Sequence, residues 1–463
     1  MNTTRLLVTC LTLASVWAIP ASAQPAATPA AAPAFVAPLN APQFAAVSAM
    51  NAALAPLNQA LTAAQGALVT ASLTLPANAQ DISAKAEAVA KADLAIANAR
   101  ASAMAPLQGG ANRLNAAQVQ NLIQPAGRGG RGGNAGVGLP PTIAPGSVVE
   151  KLATLPRETY TVGMPFTEGA TSAPNGDVYF VEQNSSKIMK WSVADKTLSV
   201  FMHPSGYANG MSFDYKGNLI ATADERNAIW SISLTEKETI PYPIPLNPAV
   251  GVGLETDHPP TLTRPKVTVL VEGHYDGKLL GGPNDVWCAP NGDIYFTDPY
   301  YARQWWAPGR GREQDMLTVY YLSADRKTLK RAVPDFNNVA GVAGTPNGII
   351  GTRDGKTLFV ANITGGETYG YDIQPDGSLT NKRVVCAGGS DGMTLDNQGN
   401  LYMSSGGVSV WSTKTGQLIG VIPVPEGPAN VAFGGPDHST LYITARTGFY
   451  SIPTLVKGEN PGK

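Results

Sequence analysis

A short pattern recurs six times between Glu168 and Asn430 of this chain. Each copy begins with Glu, Asn or Asp and a small or polar residue, and continues as an apolar strand, a turn and a second strand. Uninterrupted copies are 41, 44 and 39 residues apart, and two copies with insertions are spaced by 75 and 63. A period of about forty residues with several short strands per unit is typical of β-propeller blades. The sequence therefore predicts an all-β fold, a six-bladed β-propeller. The copies begin at Glu168-Gly169, Asn209-Gly210, Asn284-Asp285, Asn347-Gly348, Asp391-Gly392 and Asn430-Val431.

The repeat also predicts a ring of side-chain oxygens, because residues at one register of successive blades converge on the central channel of a propeller. Hard divalent cations bind carboxylate and amide oxygens. Glu168 and Asp391, together with the amides Asn284 and Asn347, would hold such an ion and leave positions for water or substrate. A simpler interpretation, that these residues cap strand ends, fits the remaining two ring positions well.

Composition limits the possible functions and locations. Charged residues make up 14% of the 463 residues and the formal net charge is -1, which argues against electrostatic binding to nucleic acid or acidic membranes. Residues 1–23 have the pattern of a signal peptide, with Arg5 before an apolar stretch that is too short to span a membrane. We therefore expect export to the periplasm or the extracellular space. There Cys288 and Cys386 are allowed to pair, although burial of two separate thiols is the simpler interpretation.

The segment before the propeller has three parts. Residues 24–40 are rich in Ala and Pro and are predicted to be disordered. Residues 41–125 carry apolar residues at helical spacing, including a seven-residue repeat from Ile82 to Ala103, which predicts an α-helical hairpin that serves as a spacer or as an oligomer or partner contact. Residues 126–147 are predicted to be a Gly-rich linker, since the string Gly127 to Gly132 follows no strand and opens no helix. The propeller is expected over residues 148–457.

Two insertions interrupt the repeat, one after blade two (roughly Glu236 to Pro265) and one after blade three (Tyr300 to Asp315). The second contains Tyr300, Tyr301, Trp305 and Trp306 and follows the strand after Asn284, so we expect it at the channel mouth on the metal side. Its aromatic residues could wall a substrate pocket or could fix the loop against the blade, and the sequence leaves both open.

A series of ordered motifs from Pro165 to Ile452 resembles the gluconolactonase, senescence-marker-protein (regucalcin) and luciferin-regenerating-enzyme family of six-bladed propellers, and its gluconolactonase branch in particular. The motifs are Val267-Thr268-Val269-Leu270, Tyr275-Asp276-Gly277-Lys278, Pro283-Asn284-Asp285-Val286, Phe296-Thr297-Asp298-Pro299, Thr345-Pro346-Asn347-Gly348, Ser390-Asp391-Gly392-Met393 and Pro428-Ala429-Asn430-Val431.

The resemblance implies one divalent cation at the channel mouth, calcium first, with Zn²⁺, Mg²⁺ or Mn²⁺ as alternatives. It implies that Glu168, Asn347 and Asp391 are direct ligands, that Asn284 ligates the ion or holds substrate, and that Asp391 is also the general base. Tyr300 and Trp305 of the aromatic insertion are the further candidates for substrate contact.

The chain departs from the family at two places. It has Ala223-Asp224 where members often carry Glu-His after the second strand of blade two, and Gly282 where a polar residue commonly precedes Pro-Asn-Asp. These differences concern the identity of the substrate rather than the metal.

The predicted function is hydrolysis of a small sugar lactone, in which a cation polarises the ester carbonyl and a carboxylate takes the proton of the attacking water. Hydrolysis of organophosphate or aryl esters and non-enzymatic binding of a ligand or partner are the alternatives. Gly388 to Gly392 fits the G-x-S-x-G pattern, but it lies in a β-repeat and not at a strand-to-helix turn, which argues against a serine hydrolase.

Overall fold

The structure is a computed structural model. It describes residues 78–105, 113 and 138–459 except for 158–161, 243–259, 334–335 and 337–343, together with scattered positions between 53 and 72. The predicted signal peptide, the predicted disordered segment at 24–40 and residues 126–137 of the predicted linker lie outside the described residues.

One long helix precedes the propeller. Helix α1 (Ala79–Met104) is preceded by Asn78, whose side-chain oxygen accepts hydrogen bonds from the backbone N–H groups of Gln80 and Asp81 at 3.0 and 3.1 Å. This is the expected N-cap arrangement. The described residues between 53 and 72 are helical as well, but the turn that would join the two helices, at 73–77, lies outside the described residues. The hairpin therefore stays a prediction. No helix in the described part of the chain is both long and apolar enough to cross a membrane.

The rest of the described chain forms the predicted six-bladed propeller, with four antiparallel strands in each blade. Blade one contains β2 (Thr167–Ser172), β3 (Val178–Glu182), β4 (Lys187–Ser192) and β5 (Thr197–Met202). Blade two contains β6 (Ala208–Phe213), β7 (Leu219–Ala223), β8 (Ala228–Pro241) and β9 (Thr261–Val271). Blade three contains β12 (Val286–Cys288), β13 (Ile294–Asp298), β14 (Thr318–Leu322) and β15 (Leu329–Arg331).

Blade four contains β16 (Pro346–Gly351), β17 (Thr357–Asn362), β18 (Glu367–Ile373) and β19 (Leu379–Cys386). Blade five contains β20 (Met393–Leu395), β21 (Asn400–Ser404), β22 (Val408–Ser412) and β23 (Leu418–Ile422). Blade six contains β24 (Pro428–Gly434), β25 (Thr440–Ala445), β26 (Gly448–Pro453) and, as its outermost strand, β1 (Glu150–Thr154). Strands β10 (His274–Tyr275) and β11 (Lys278–Leu279) form a small hairpin between blades two and three.

The first strand of the propeller closes the ring. Strand β1 pairs antiparallel with β26, with Glu150 opposite Ser451 and Thr154 opposite Gly448. Blade six therefore joins the N-terminal strand to the C-terminal hairpin. Closure leaves no gap between the first and the last blade, where unpaired strand edges would be exposed.

In blades one and three the turn between the first two strands is Asn-Gly-Asp. In blade one Gly176 has a φ of +88°, and the Asn175 amide donates to the Asp177 carboxylate at 2.9 Å. The same carboxylate accepts from the backbone N–H of Val193 after the third strand at 3.0 Å. Blade three repeats this arrangement with Asn291, Gly292, Asp293 and Ala324. The Asp side chain therefore ties the turn to the next strand, which fixes the start of the outer half of the blade.

Both insertions lie inside blades, which corrects the prediction that they follow them. The first extends β8 and β9 into a long ribbon, with Pro241 opposite Thr261, between the third and fourth strands of blade two. The second connects β13 to β14 within blade three. An insertion within a sheet remains tied to that sheet at both ends, so the second loop stays close to the channel mouth.

Apolar side chains fill the spaces between neighbouring blades. A large cluster joins blades three, four and five, and includes Trp287, Tyr295, Phe359 and Met393. Cys386 is buried in this cluster, Cys288 is buried in another between blades two and three, and the two form no disulfide. The simpler of the two interpretations of the cysteines is confirmed.

Candidate metal and active site

The six polar residues of the repeat lie at the start of the innermost strand of each blade. Glu168, Asn209, Asn347 and Asn430 are on β2, β6, β16 and β24, and Asn284 and Asp391 come two residues before β12 and β20. In the four blades that contain β2, β6, β16 and β24, the pairing register between the first and the second strand shifts at this point. A β-bulge of this kind turns a side chain out of the regular alternation of the strand. The bulges therefore direct polar side chains away from the apolar space between blades.

The small residue after the ring position is explained by close approach of neighbouring strands. A Cβ atom placed on Gly169 would lie 2.1 Å from the backbone oxygen of Asn209, and one on Gly348 would lie 2.6 Å from that of Asp391. Neither position has room for a side chain. Backbone hydrogen bonds connect the same part of successive blades: Gly210 to Asn284 at 2.7 Å, Gly348 to Ser390 at 3.4 Å and Gly392 to Ala429 at 2.7 Å. The repeated Asn-Gly pairs thus belong to the wall of the channel and not to hairpin turns.

Two predicted ligands are in direct contact. The Asn347 amide nitrogen donates to Asp391 Oδ1 at 2.8 Å and to the hydroxyl oxygen of Tyr301 at 3.1 Å. Asn347 is 1% exposed, and among the described residues its Oδ1 has no hydrogen-bond donor. A buried carbonyl oxygen without a donor is costly unless something else satisfies it. The amide is therefore oriented by two contacts so that its oxygen is available to a ligand.

Glu168 lies in the same group of side chains. Its Oε2 accepts from the backbone N–H of Gly169 at 2.9 Å and from the Asn430 amide at 3.1 Å. Burial raises the pKa of the Glu168 carboxyl well above its usual range, and repulsion from the carboxylates of Asp391 and Asp285 raises it further. Asp391 and Asp285 are therefore each close enough to Glu168 to repel its carboxylate.

The amides at the other ring positions differ in their surroundings. Asn284 is buried, and its backbone oxygen accepts from Gly210 N–H at 2.7 Å and from the Thr222 hydroxyl at 2.8 Å, which fixes its position between blades two and three. The Asn209 amide donates to the Gln183 side chain at 3.1 Å. This contact agrees with the simpler of the two interpretations, in which Asn209 has a structural role. Asn430 differs, because its amide holds Glu168.

The donor set fits a hard divalent cation. Carboxylates and amide oxygens are the ligands that such cations prefer, and a positive charge would remove the mutual repulsion of the acidic groups. Within the described residues there is no group of three or more His, Cys, Asp or Glu that could hold a metal. The predicted set differs from such a group because two of its four members, Asn284 and Asn347, are amides.

Comparison with known proteins connects this ring to a family. A sequence profile that describes the SMP-30/gluconolactonase/LRE-like region matches residues 166–447, which is more than half of the chain. The chain belongs to this family. It is 24% identical to a gluconolactonase of Zymomonas mobilis over 331 residues, covering 65% of this chain and 82% of that protein.

Two further proteins are similar to this chain. A pentonolactonase of Haloferax volcanii is 33% identical over 114 residues, which are 23% of this chain and 39% of that protein. The solved structure of a gluconolactonase from Xanthomonas campestris superposes with a TM-score of 0.51 at 24% identity, covering 72% of this chain and 99% of that one. At that level of identity the superposition supports the propeller fold.

The aromatic insertion lies beside the ring, as predicted, because the Tyr301 hydroxyl reaches Asn347. Trp305 and Trp306 are each 3% exposed. Trp305 stacks on Tyr207 with ring centroids 4.3 Å apart, and the Trp306 indole donates to the backbone oxygen of Asp224 at 2.6 Å. Of the two alternatives for these tryptophans, fixing the loop against the blades agrees with the structure.

The predicted substrate role of Tyr300 and Trp305 stays a prediction. The Tyr300 hydroxyl donates to the backbone oxygen of Arg310 at 2.8 Å, within its own loop. The residue of this loop that contacts a predicted ligand is the neighbouring Tyr301. The sequence predicted for Tyr301 only the two alternatives shared by the aromatic residues of the loop, and no contact with a ligand, since an irregular loop has no periodicity from which the direction of a side chain could be predicted.

The two departures from the family meet under this insertion. A Cβ atom on Gly282 would lie 2.9 Å from Asp224 Oδ1 and 3.0 Å from the Trp306 ring. Asp224 is fully buried and pairs with Arg303 of the insertion, with 2.5 Å between Oδ2 and Nε. The insertion therefore occupies the space next to Gly282 and supplies the charge that balances Asp224.

Proposed function

We propose that this protein hydrolyses small sugar lactones at the ring formed by Glu168, Asn284, Asn347 and Asp391. The proposal is supported by membership of the SMP-30/gluconolactonase/LRE-like family and by relatives whose names are gluconolactonase and pentonolactonase. The single observation that carries it is the buried Asn347 oxygen without a described donor, next to the Asp391 carboxylate.

The same four side chains are the proposed ligands of one divalent cation, with calcium as the first choice because half of the donors are neutral amides and all are oxygens. When bound, such a cation polarises an ester carbonyl and lowers the pKa of a nearby water. Asn430 and Tyr301 would not bind the cation themselves but would orient two of its ligands, since they contact Glu168 and Asn347 through hydrogen bonds of 3.1 Å each. Partners of this kind orient ligands and affect metal affinity.

Asp391 is the proposed general base. Its carboxylate accepts a proton from water as the water oxygen adds to the lactone carbonyl carbon. The bond between that carbon and the ring oxygen then breaks, the ring oxygen takes a proton, and the product is the open-chain hydroxy acid. The Asn347 amide holds one Asp391 oxygen at 2.8 Å, which restricts the direction of the carboxylate.

A metal-dependent assay on the full chain tests the proposal. Protein stripped with a chelator should be inactive on glucono-1,5-lactone and a pentono-lactone, and added Ca²⁺ or another divalent cation should restore hydrolysis. Paraoxon and phenyl acetate in the same panel test the organophosphate and aryl-ester alternatives. If the stripped protein binds no divalent cation and hydrolyses no lactone after metal is added, the proposal is wrong, and a binding function becomes the better interpretation.

A further inference from the structure

Next to the ring lies a group of two buried acids and two partly exposed arginines, which we call the Arg303 cluster: Asp224, Asp298, Arg303 and Arg310. Asp224 comes directly after β7 and Asp298 ends β13, whereas both arginines come from the insertion between β13 and β14. Burial raises the pKa of Asp224, and the charges of Arg303 and Arg310 lower it. Asp224 therefore supplies the negative charge that balances Arg303.

Arg303 differs from Arg310 in its surroundings. The Arg310 guanidinium lies on the Trp306 ring, 3.7 Å from its centroid, and donates toward the Leu280 backbone oxygen at 3.5 Å. The Arg303 guanidinium contacts Asp224 through Nε and lies 5.5 Å from the ring centroids of both Tyr301 and Trp305. Among the described residues its two terminal nitrogens make no hydrogen bond. Its side chain is 15% exposed, so these donors are nearly buried and yet reachable.

The position of Arg303 relates it to the proposed reaction centre. Tyr301 lies between them, with its ring against the Arg303 guanidinium and its hydroxyl 3.1 Å from the Asn347 amide. Arg303 is therefore one side chain removed from the proposed reaction centre, so we expect its terminal nitrogens to meet substituents of a small ring bound over Asn347 and Asp391.

We propose that Arg303 is a specificity-determining residue, whose terminal N–H groups donate hydrogen bonds to the hydroxyl oxygens of a neutral, polyhydroxylated lactone. This proposal rests on the proposed lactone hydrolysis. A neutral substrate fits because Asp224, which is fully buried and 2.5 Å away, already balances the charge of Arg303. A substrate carboxylate would have to compete with Asp224 for the guanidinium, next to the acidic ring.

Substrate pairs test this role. Glucono-1,5-lactone and δ-valerolactone share the six-membered ring ester, but only the first carries hydroxyl groups. In the metal-loaded full chain, Arg303→Gln should raise KM for glucono-1,5-lactone about 10- to 100-fold, the effect of losing hydrogen bonds from a charged donor. The kcat/KM for δ-valerolactone should change by less than about twofold. Arg310→Gln is the matched control and should leave the ratio of the two kcat/KM values unchanged, even if the melting temperature falls.

Arg303→Gln leaves Asp224 buried without its ion-pair partner. If this variant does not fold, the same measurements are made on the double variant Asp224→Asn/Arg303→Gln. A purely structural Arg303 would lower activity on both lactones in proportion, and that result would overturn the proposal. An unchanged KM for glucono-1,5-lactone in a folded variant would also overturn it. If the wild type does not hydrolyse δ-valerolactone, the KM for glucono-1,5-lactone is the measurement that tests the proposal. A wild type that hydrolyses neither lactone would instead refute the proposed function.

Discussion

Replacement of Asp391 by Asn separates the chemistry of the ring from its stability. The new amide keeps an oxygen that can accept the 2.8 Å hydrogen bond from Asn347, so the Asn347 donor keeps its partner. The change also removes a negative charge that repels Glu168 and raises its pKa. We therefore expect the free energy of unfolding to stay the same or to rise.

Hydrolysis should respond in the opposite direction. A neutral amide cannot accept the proton of the attacking water, and the loss of a general base costs roughly 10²-fold or more in rate. This corresponds to about 2.7 kcal/mol of transition-state stabilisation. Because the amide is also a weaker ligand than the carboxylate, the cation must be titrated to saturation before kcat is compared.

The assay is acid release from glucono-1,5-lactone, corrected for spontaneous hydrolysis, with thermal unfolding measured in parallel. Asn209→Ala is the control, since Asn209 has the same register but donates to Gln183 at 3.1 Å and has no proposed ligand role. It should cost about 1 kcal/mol of stability and little activity. Full metal-dependent activity of Asp391→Asn, or equal loss in Asn209→Ala, would refute the assignment of Asp391.

Three further changes have distinct expected outcomes. Glu168→Gln should weaken cation binding, measured by calorimetry, and excess cation should restore much of the activity; no change in affinity would contradict a ligand role. Tyr301→Phe removes the hydroxyl that the Asn347 amide contacts, so cation affinity should fall about 10-fold, whereas Tyr300→Phe should leave it unchanged. Burial raises the pKa of Asp298 to about 7, so its contribution to stability is present at low pH and is lost as the pH rises through about 7. Denaturant unfolding of Asp298→Asn should therefore show a smaller decline in stability between about pH 4 and pH 8 than the wild type, and parallel curves would contradict this pKa.

The fold and the ring were predictable because both are repeated along the chain. Six copies at a spacing of about forty residues indicate six blades, and one register with Glu, Asn or Asp indicates which side chains meet at the channel. The contact between Asn347 and Asp391 follows from this register, since the two residues start neighbouring blades. The repeat does not predict that Asp285 lies close enough to Glu168 to raise its pKa. The two residues belong to different blades, and the distance between them across the ring is not given by the register.

The sequence by itself thus determined the propeller, its family and the ring of oxygen-bearing side chains, all of which depend on periodic pattern. Only the tertiary structure decided that β1 closes blade six and that the insertion places Tyr301 against Asn347 and Arg303 against Asp224. The physical reason is that these contacts join segments far apart in sequence, through a strand without its own repeat and a loop without regular backbone geometry. In such segments the direction of a side chain is determined by the surfaces that it packs against, and no local pattern records those surfaces.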